Sequence, residues 1–136
     1  MRLISDEALA VITIVQEAAG ESYEGKLAVA NVIRHRMERE MHSDGTVAGT
    51  VLRAFQFSGW NTKPDFLRIR TVQVDSEEES VREATLAWRE SATRDIVPGA
   101  VLYCNLNVLP IPPAWAKPAN FVASIDHHTF FREGRR

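Results

Sequence analysis

The sequence predicts an α+β fold that is mainly helical, and three observations carry that expectation. Apolar residues recur at helical spacing through two N-terminal stretches that meet at Gly20. A capping box, Ser76-Glu-Glu-Glu79, opens a further amphipathic stretch. Short apolar runs that suit strands follow the turn signal Pro98-Gly99.

Ser5 or Asp6 suits the cap of a first helix, in which Leu9, Ile12, Val15 and Ala19 share a face and Gly20 is the stop. Ser22 suits the cap of a second, where Leu27, Ala30, Ile33 and Met37 form the inward stripe and Arg34, Glu38 and Arg39 the solvated face. The short link Glu21-Ser-Tyr-Glu24 makes the pair an αα-hairpin. Thr46 to Phe55 reads as a short third helix on Val47, Val51 and Ala54. Residues 56–75 mix aromatics, Gly, Pro and β-branched residues without a sustained period, which predicts a long shaped loop. After the capping box, a fourth helix turns Val81, Ala84, Thr85 and Trp88 inward. Ala100 to Leu106 is a short strand, Ile111 to Trp115 is irregular because proline lacks a ladder donor, and Phe121 to Phe131 holds a second short strand.

The 136 residues suit one domain spanning 1–136, with enough apolar content, 45%, to build a core. A formal net charge of −2 gives no electrostatic case for a nucleic-acid partner. No apolar run approaches the roughly 20 residues a bilayer span needs, and no signal peptide is visible. The expected route is therefore synthesis in a host cytoplasm. One cysteine, Cys104, excludes an internal disulfide, and no Cys/His spacing resembles a zinc site, so neither metal nor cofactor is expected.

Several residues are candidates for chemistry. Glu17 falls in the last turn of the first helix, where the macrodipole disfavours a negative charge and raises a carboxyl's pKa. Glu17 and Glu21 flank the helix end, and general acid catalysis on a glycosidic bond uses a carboxyl of raised pKa. The residues alone leave open whether Glu17 is such an acid or a solvated surface group. His127 and His128 would point to opposite faces of an extended chain, so at most one lines a given site. Gln56-Phe-Ser-Gly-Trp-Asn61 mixes amides, a hydroxyl and aromatics, suited either to holding sugars or to pinning a loop. Cys104 sits in an apolar run, where a thiol is usually inert.

Five stretches in order resemble the spore cortex-lytic SleB and cell wall hydrolase family of bacteria and phage genomes. They are Gln16-Glu-Ala-Ala-Gly-Glu21, Gly25-Lys-Leu-Ala-Val-Ala-Asn-Val-Ile33, Gln56-Phe-Ser58 with Trp60, Pro113-Ala-Trp-Ala116, and Ile125 with His128, Phe130 and Phe131. The resemblance implies a lysozyme-like catalytic domain acting on the glycan strands of peptidoglycan, with Glu17 as acid/base. It implies Gln56, Ser58, Trp60, Tyr103, Trp115 and His128 as substrate-binding residues. It also implies a lytic transglycosylase that cleaves the MurNAc–GlcNAc bond to a 1,6-anhydro product. Ala19 stands where the family often has arginine, and Cys104 and Asn105 where it often has histidine after the Tyr103 position. Two alternatives stay open: a hydrolysing muramidase with Glu21 as a second acid, and a glycan-binding virion protein without activity. A chain of this size suits a phage lytic or virion-associated enzyme acting at the bacterial wall or periplasm, with virion or lysis proteins as further partners.

Overall fold

The computed structural model describes residues 5–53 and 79–134. Helix α1 (Asp6–Ala18) opens on Ser5, whose hydroxyl accepts from the Ala8 amide at 3.1 Å, with Asp6 and Glu7 favourably placed at the positive helix end. The expected one-sided stripe is too narrow for α1. Leu9 through Val15 and Ala18 are all buried, because three further helices, α2 (Tyr23–Arg39), α3 (Val47–Val51) and α4 (Glu79–Glu90), pack around this one. Ala19 is exposed rather than part of a stripe, and it ends the helix in right-handed geometry (φ −57°, ψ −39°), while the Glu21 amide donates to the Ala18 carbonyl at 3.0 Å. Gly20 therefore supplies no left-handed cap.

Helix α2 (Tyr23–Arg39) is capped by Ser22, which accepts from the Gly25 amide, and ends at Glu40 in left-handed geometry (φ 50°). Its first three turns are buried as a block, from Gly25 to Ile33. Arg34, expected on the solvated face, instead lies 3.9 Å over the Trp88 ring, with Nε donating to the Ser91 hydroxyl and its terminal nitrogen to the Trp88 carbonyl. The guanidinium reaches back to the neighbouring helix because it finds both a π face and two acceptors there. Helix α3 (Val47–Val51) is shorter than expected, with Leu52 as its C-cap. Helix α4 (Glu79–Glu90) buries Ala84, Ala87 and Trp88 as its period requires, while Val81 and Thr85 are half-buried. The expected cap Ser76, and the loop 56–75, lie outside the described residues.

The C-terminal part holds three strands rather than two. Strand β1 (Leu102–Cys104) pairs antiparallel with β3 (His128–Phe131), which pairs with β2 (Phe121–Ile125), giving the order β1-β3-β2. The second strand expected over Phe121 to Phe131 is a hairpin. Asp126, at φ 53°, and His127 form its two-residue turn, and Asp is among the few residues that tolerate that φ. Alternation gives the sheet two faces. Tyr103, His128, Phe130, Ala123 and Ile125 face the helices, and Leu102, Cys104, Ser124, Thr129, Phe121 and Phe131 face away. Phe130, fully buried, joins the helical core.

Candidate active site

The last turn of α1 carries Glu17 to the edge of the core, where the side chain is half-buried. Strand β1 delivers Tyr103 to it, and the phenol donates to Glu17 Oε1 at 2.5 Å. Burial, then the Glu17 charge and this hydrogen bond, push the Tyr103 hydroxyl well above its usual pKa, so it remains a protonated donor. The Tyr103 ring rests on His128, with centroids 4.9 Å apart, and on Phe130, at 5.5 Å. Nearby, Arg36 is buried at 4% exposure and its Nε donates to the Val101 carbonyl at 2.6 Å. Desolvation lowers the Arg36 pKa, and electrostatic interaction with Tyr103 and Glu17 acts against that.

Glu21, on the turn between α1 and α2, takes a different set of partners. Its carboxylate accepts from His127 Nδ1 at 3.1 Å and from the His127 amide at 3.4 Å, and lies 3.9 Å from His128 Nδ1. The Glu21 side chain is 9% exposed, His128 13% and His127 68%. One histidine is thus sheltered and one exposed, yet both reach the same carboxylate. Opposite faces follow for an extended chain, whereas His127 sits in a turn, which releases it from strand alternation. Burial lowers the His128 pKa most, Glu21 and Asp126 act against that, and His127 reinforces it.

Among the residues named from sequence, Glu17, Tyr103, Glu21 and His128 come together where the α1–α2 turn meets the inner face of the sheet. Trp115 does not join them. Its ring packs edge-on against Phe131 at 5.4 Å, on the outer face. Gln56, Ser58 and Trp60 lie outside the described residues. Cys104 is half-buried, and burial raises its thiol pKa, which suits an inert role. Sequence reasoning missed Arg36 and Asp126. Arg36 stands three residues beyond the stripe residue Ile33, a spacing that shares a helix face, but a charged side chain is assigned to solvent by default. Asp126 falls within the stretch expected to hold a strand, so neither its place in the turn nor its pairing with Ser22 shows in the sequence. Among the described residues no group of three or more His, Cys, Asp or Glu is arranged to hold a metal ion, and no helix is long and apolar enough to cross a membrane.

A half-buried carboxyl at a helix end, hydrogen-bonded by a phenol that stays neutral, is equipped to give a proton and take one back. That is the chemistry of a glycosidase acid/base. Residues 20–131 match the family model described as Cell Wall Hydrolase. The chain belongs to the cell wall hydrolase family, and with it to the enzymes that degrade peptidoglycan. The matched stretch includes Glu21, Tyr103 and His128 and begins just after Glu17. The fold is that of the catalytic domain of the germination-specific lytic transglycosylase SleB from Bacillus anthracis, with a TM-score of 0.67 and 22% identity over 93% of each chain. The catalytic domain of the Bacillus cereus SleB protein is similar too, with a TM-score of 0.65 and 23% identity over 93% of this chain and 89% of that one. No curated protein sequence matches the chain.

Proposed function

We propose that the chain is one catalytic domain over residues 1–136 that cleaves the MurNAc–GlcNAc bond of peptidoglycan as a lytic transglycosylase, with Glu17 as its single acid/base. The observation that carries this reading is the hydrogen bond from Tyr103 to the half-buried carboxyl of Glu17. In the first step neutral Glu17 protonates the glycosidic oxygen as the C1–O bond breaks. In the second the resulting carboxylate takes the proton of the MurNAc C6 hydroxyl as O6 closes on C1. Tyr103 helps the second state most, since a hydrogen bond to a carboxylate is about twice as strong as a neutral one. Gln56, Ser58, Trp60 and His128 keep their role as sugar-holding residues on the strength of the resemblance.

The hydrolysing alternative assigns Glu21 to water activation, and Glu21 is the acid inside the family match. Against it, the Glu21 carboxylate is sheltered and already held by His127. Product mass separates the two mechanisms, because an anhydro end is one water lighter than a reducing end. Glu17→Gln is expected to keep its fold and lose at least about a hundredfold in lysis of purified sacculi, the usual scale for a general acid. Lysis within a few fold of the unsubstituted chain would remove Glu17 from the mechanism. No lysis by the unsubstituted chain would favour a glycan-binding protein.

A further inference from the structure

The β2–β3 turn is fastened to the α1–α2 turn through contacts that the acid/base chemistry does not itself use. Asp126 Oδ2 accepts from the Ser22 amide at 2.8 Å and from the Ser22 hydroxyl at 2.6 Å. Glu21 accepts from the His127 amide and ring. The two surfaces touch closely at Gly25, where an added Cβ would stand 2.8 Å from Asp126 Oδ2 and 2.9 Å from Glu21 Cβ. Immediately after this turn His128 enters β3, with its ring against Tyr103.

We propose that Glu21 is a positioning residue: by clamping the Asp126–His127 turn it seats His128 against the Tyr103 ring and so holds the Tyr103 hydroxyl on Glu17. The proposal rests on the reading of Glu17 as the acid. The alternative, a proton-handling Glu21, fits its surroundings poorly. Its carboxylate is sheltered and turned to the histidines, and the ammonium of Lys26 donates to the Glu21 backbone carbonyl at 2.7 Å and pairs with Glu83 at 3.1 Å. Glu79 and Glu83, from α4, line the same small recess as Glu21. Among the described residues, the charged and titratable groups facing His128 are Glu21, Asp126, His127 and, from β1, Tyr103.

The test compares Glu21→Ala, Glu21→Gln and Glu17→Gln in the full chain. Turnover is measured on soluble glycan fragments, and the His128 ring is followed by NMR through a pH titration. Glu21→Ala is expected to lower kcat about ten- to a hundredfold, the scale of an ångström-level misplacement of a catalytic group, with KM unchanged. The His128 midpoint should move to lower pH, because an opposite charge that favours the imidazolium is gone. Glu21→Gln should recover most of the lost turnover, since its amide oxygen still accepts from the His127 amide. Unchanged kcat in Glu21→Ala, or an unmoved His128 midpoint, overturns the proposal. So does Glu21→Gln as inactive as Glu17→Gln, which would make Glu21 a proton carrier. Full activity of Glu17→Gln would defeat the acid assignment, while the His128 midpoint in Glu21→Ala would still report on the clamp. Should Glu21→Ala fail to fold, His127→Ala, altered at an exposed ring, is expected to lower kcat in the same direction, and unchanged kcat there overturns the proposal.

Discussion

The two faces of the small sheet are built from neighbouring residues of the same strands, yet they do different work. The inner face sends Tyr103 and His128 toward acidic groups at the end of α1 and on the α1–α2 turn, and anchors itself through Phe130. The outer face stacks Phe121 and Trp115 edge-on against Phe131, around an apolar groove that Ser124, Thr129 and Lys117 also line. The difference shows how a two-residue period separates chemistry from packing. A side chain one position along is carried to the opposite side of the sheet.

Phe130→Ala should cause the largest change, a loss of about 3 to 5 kcal/mol in unfolding free energy, since a fully buried ring leaves a large cavity. Urea titration measures it, and a loss below about 1 kcal/mol would mean that the inner face is not anchored as described. Tyr103→Phe should come next and act on activity instead. Removing a hydrogen bond to a carboxylate is worth about 1.5 to 3 kcal/mol, which appears as roughly a ten- to hundredfold slower lysis at nearly the same melting temperature. Equal activity of the two chains would detach the inner face from the chemistry. Phe121→Ala, on a ring already 47% exposed, should cost no more than about 1 kcal/mol and leave the lysis rate alone. A collapse of lysis in that variant would put the glycan on the outer face and reverse the comparison.

The smallest expected effect is a pH dependence at the hairpin turn. The Ser22 hydroxyl and amide hold the Asp126 carboxyl below its usual pKa. A carboxyl whose pKa is lower folded than unfolded stabilises the fold fully above its unfolded value, near 4, and loses that contribution as pH falls through the folded value. Asp126→Asn should therefore flatten the acid side of a melting-temperature profile and have less effect on its slope at neutral pH. A profile parallel to that of the unsubstituted chain would show that the Asp126–Ser22 contact contributes nothing to stability.

Much of the helical part was legible because helix signals are local. Ser5, Ser22 and Thr46 cap α1, α2 and α3 through their own side chains, and Trp88 turned inward where its period placed it. What misled was the assumption that each helix has one wet side. α1 is enclosed on all sides, so its stripe was read too narrow, and Arg34 folds back onto Trp88 because a long cation finds acceptors that sequence spacing does not show. The site was legible only in part. Glu17 at the end of its helix was visible as an oddity of charge placement, and the resemblance named Tyr103 and His128. That Tyr103 donates to Glu17, or that Glu21 faces two histidines, depends on pairings across most of the chain, about which local patterns carry no information. Trp115 shows the reverse: a motif residue whose ring lies on the other side of the sheet from the acid.

The separation of these partners along the chain also governs when their contacts can form. Ser22 meets Asp126 across 104 residues, and Glu17 meets Tyr103 across 86. Contacts that distant form late, since the chain must first be made and the intervening loops closed. A nascent chain carries Glu17 and Ser22 from the outset but gains their contacts with Tyr103 and Asp126 only once β1 and the hairpin turn have been made. Synthesis itself thus delays the joining of α1 and the α1–α2 turn to the sheet.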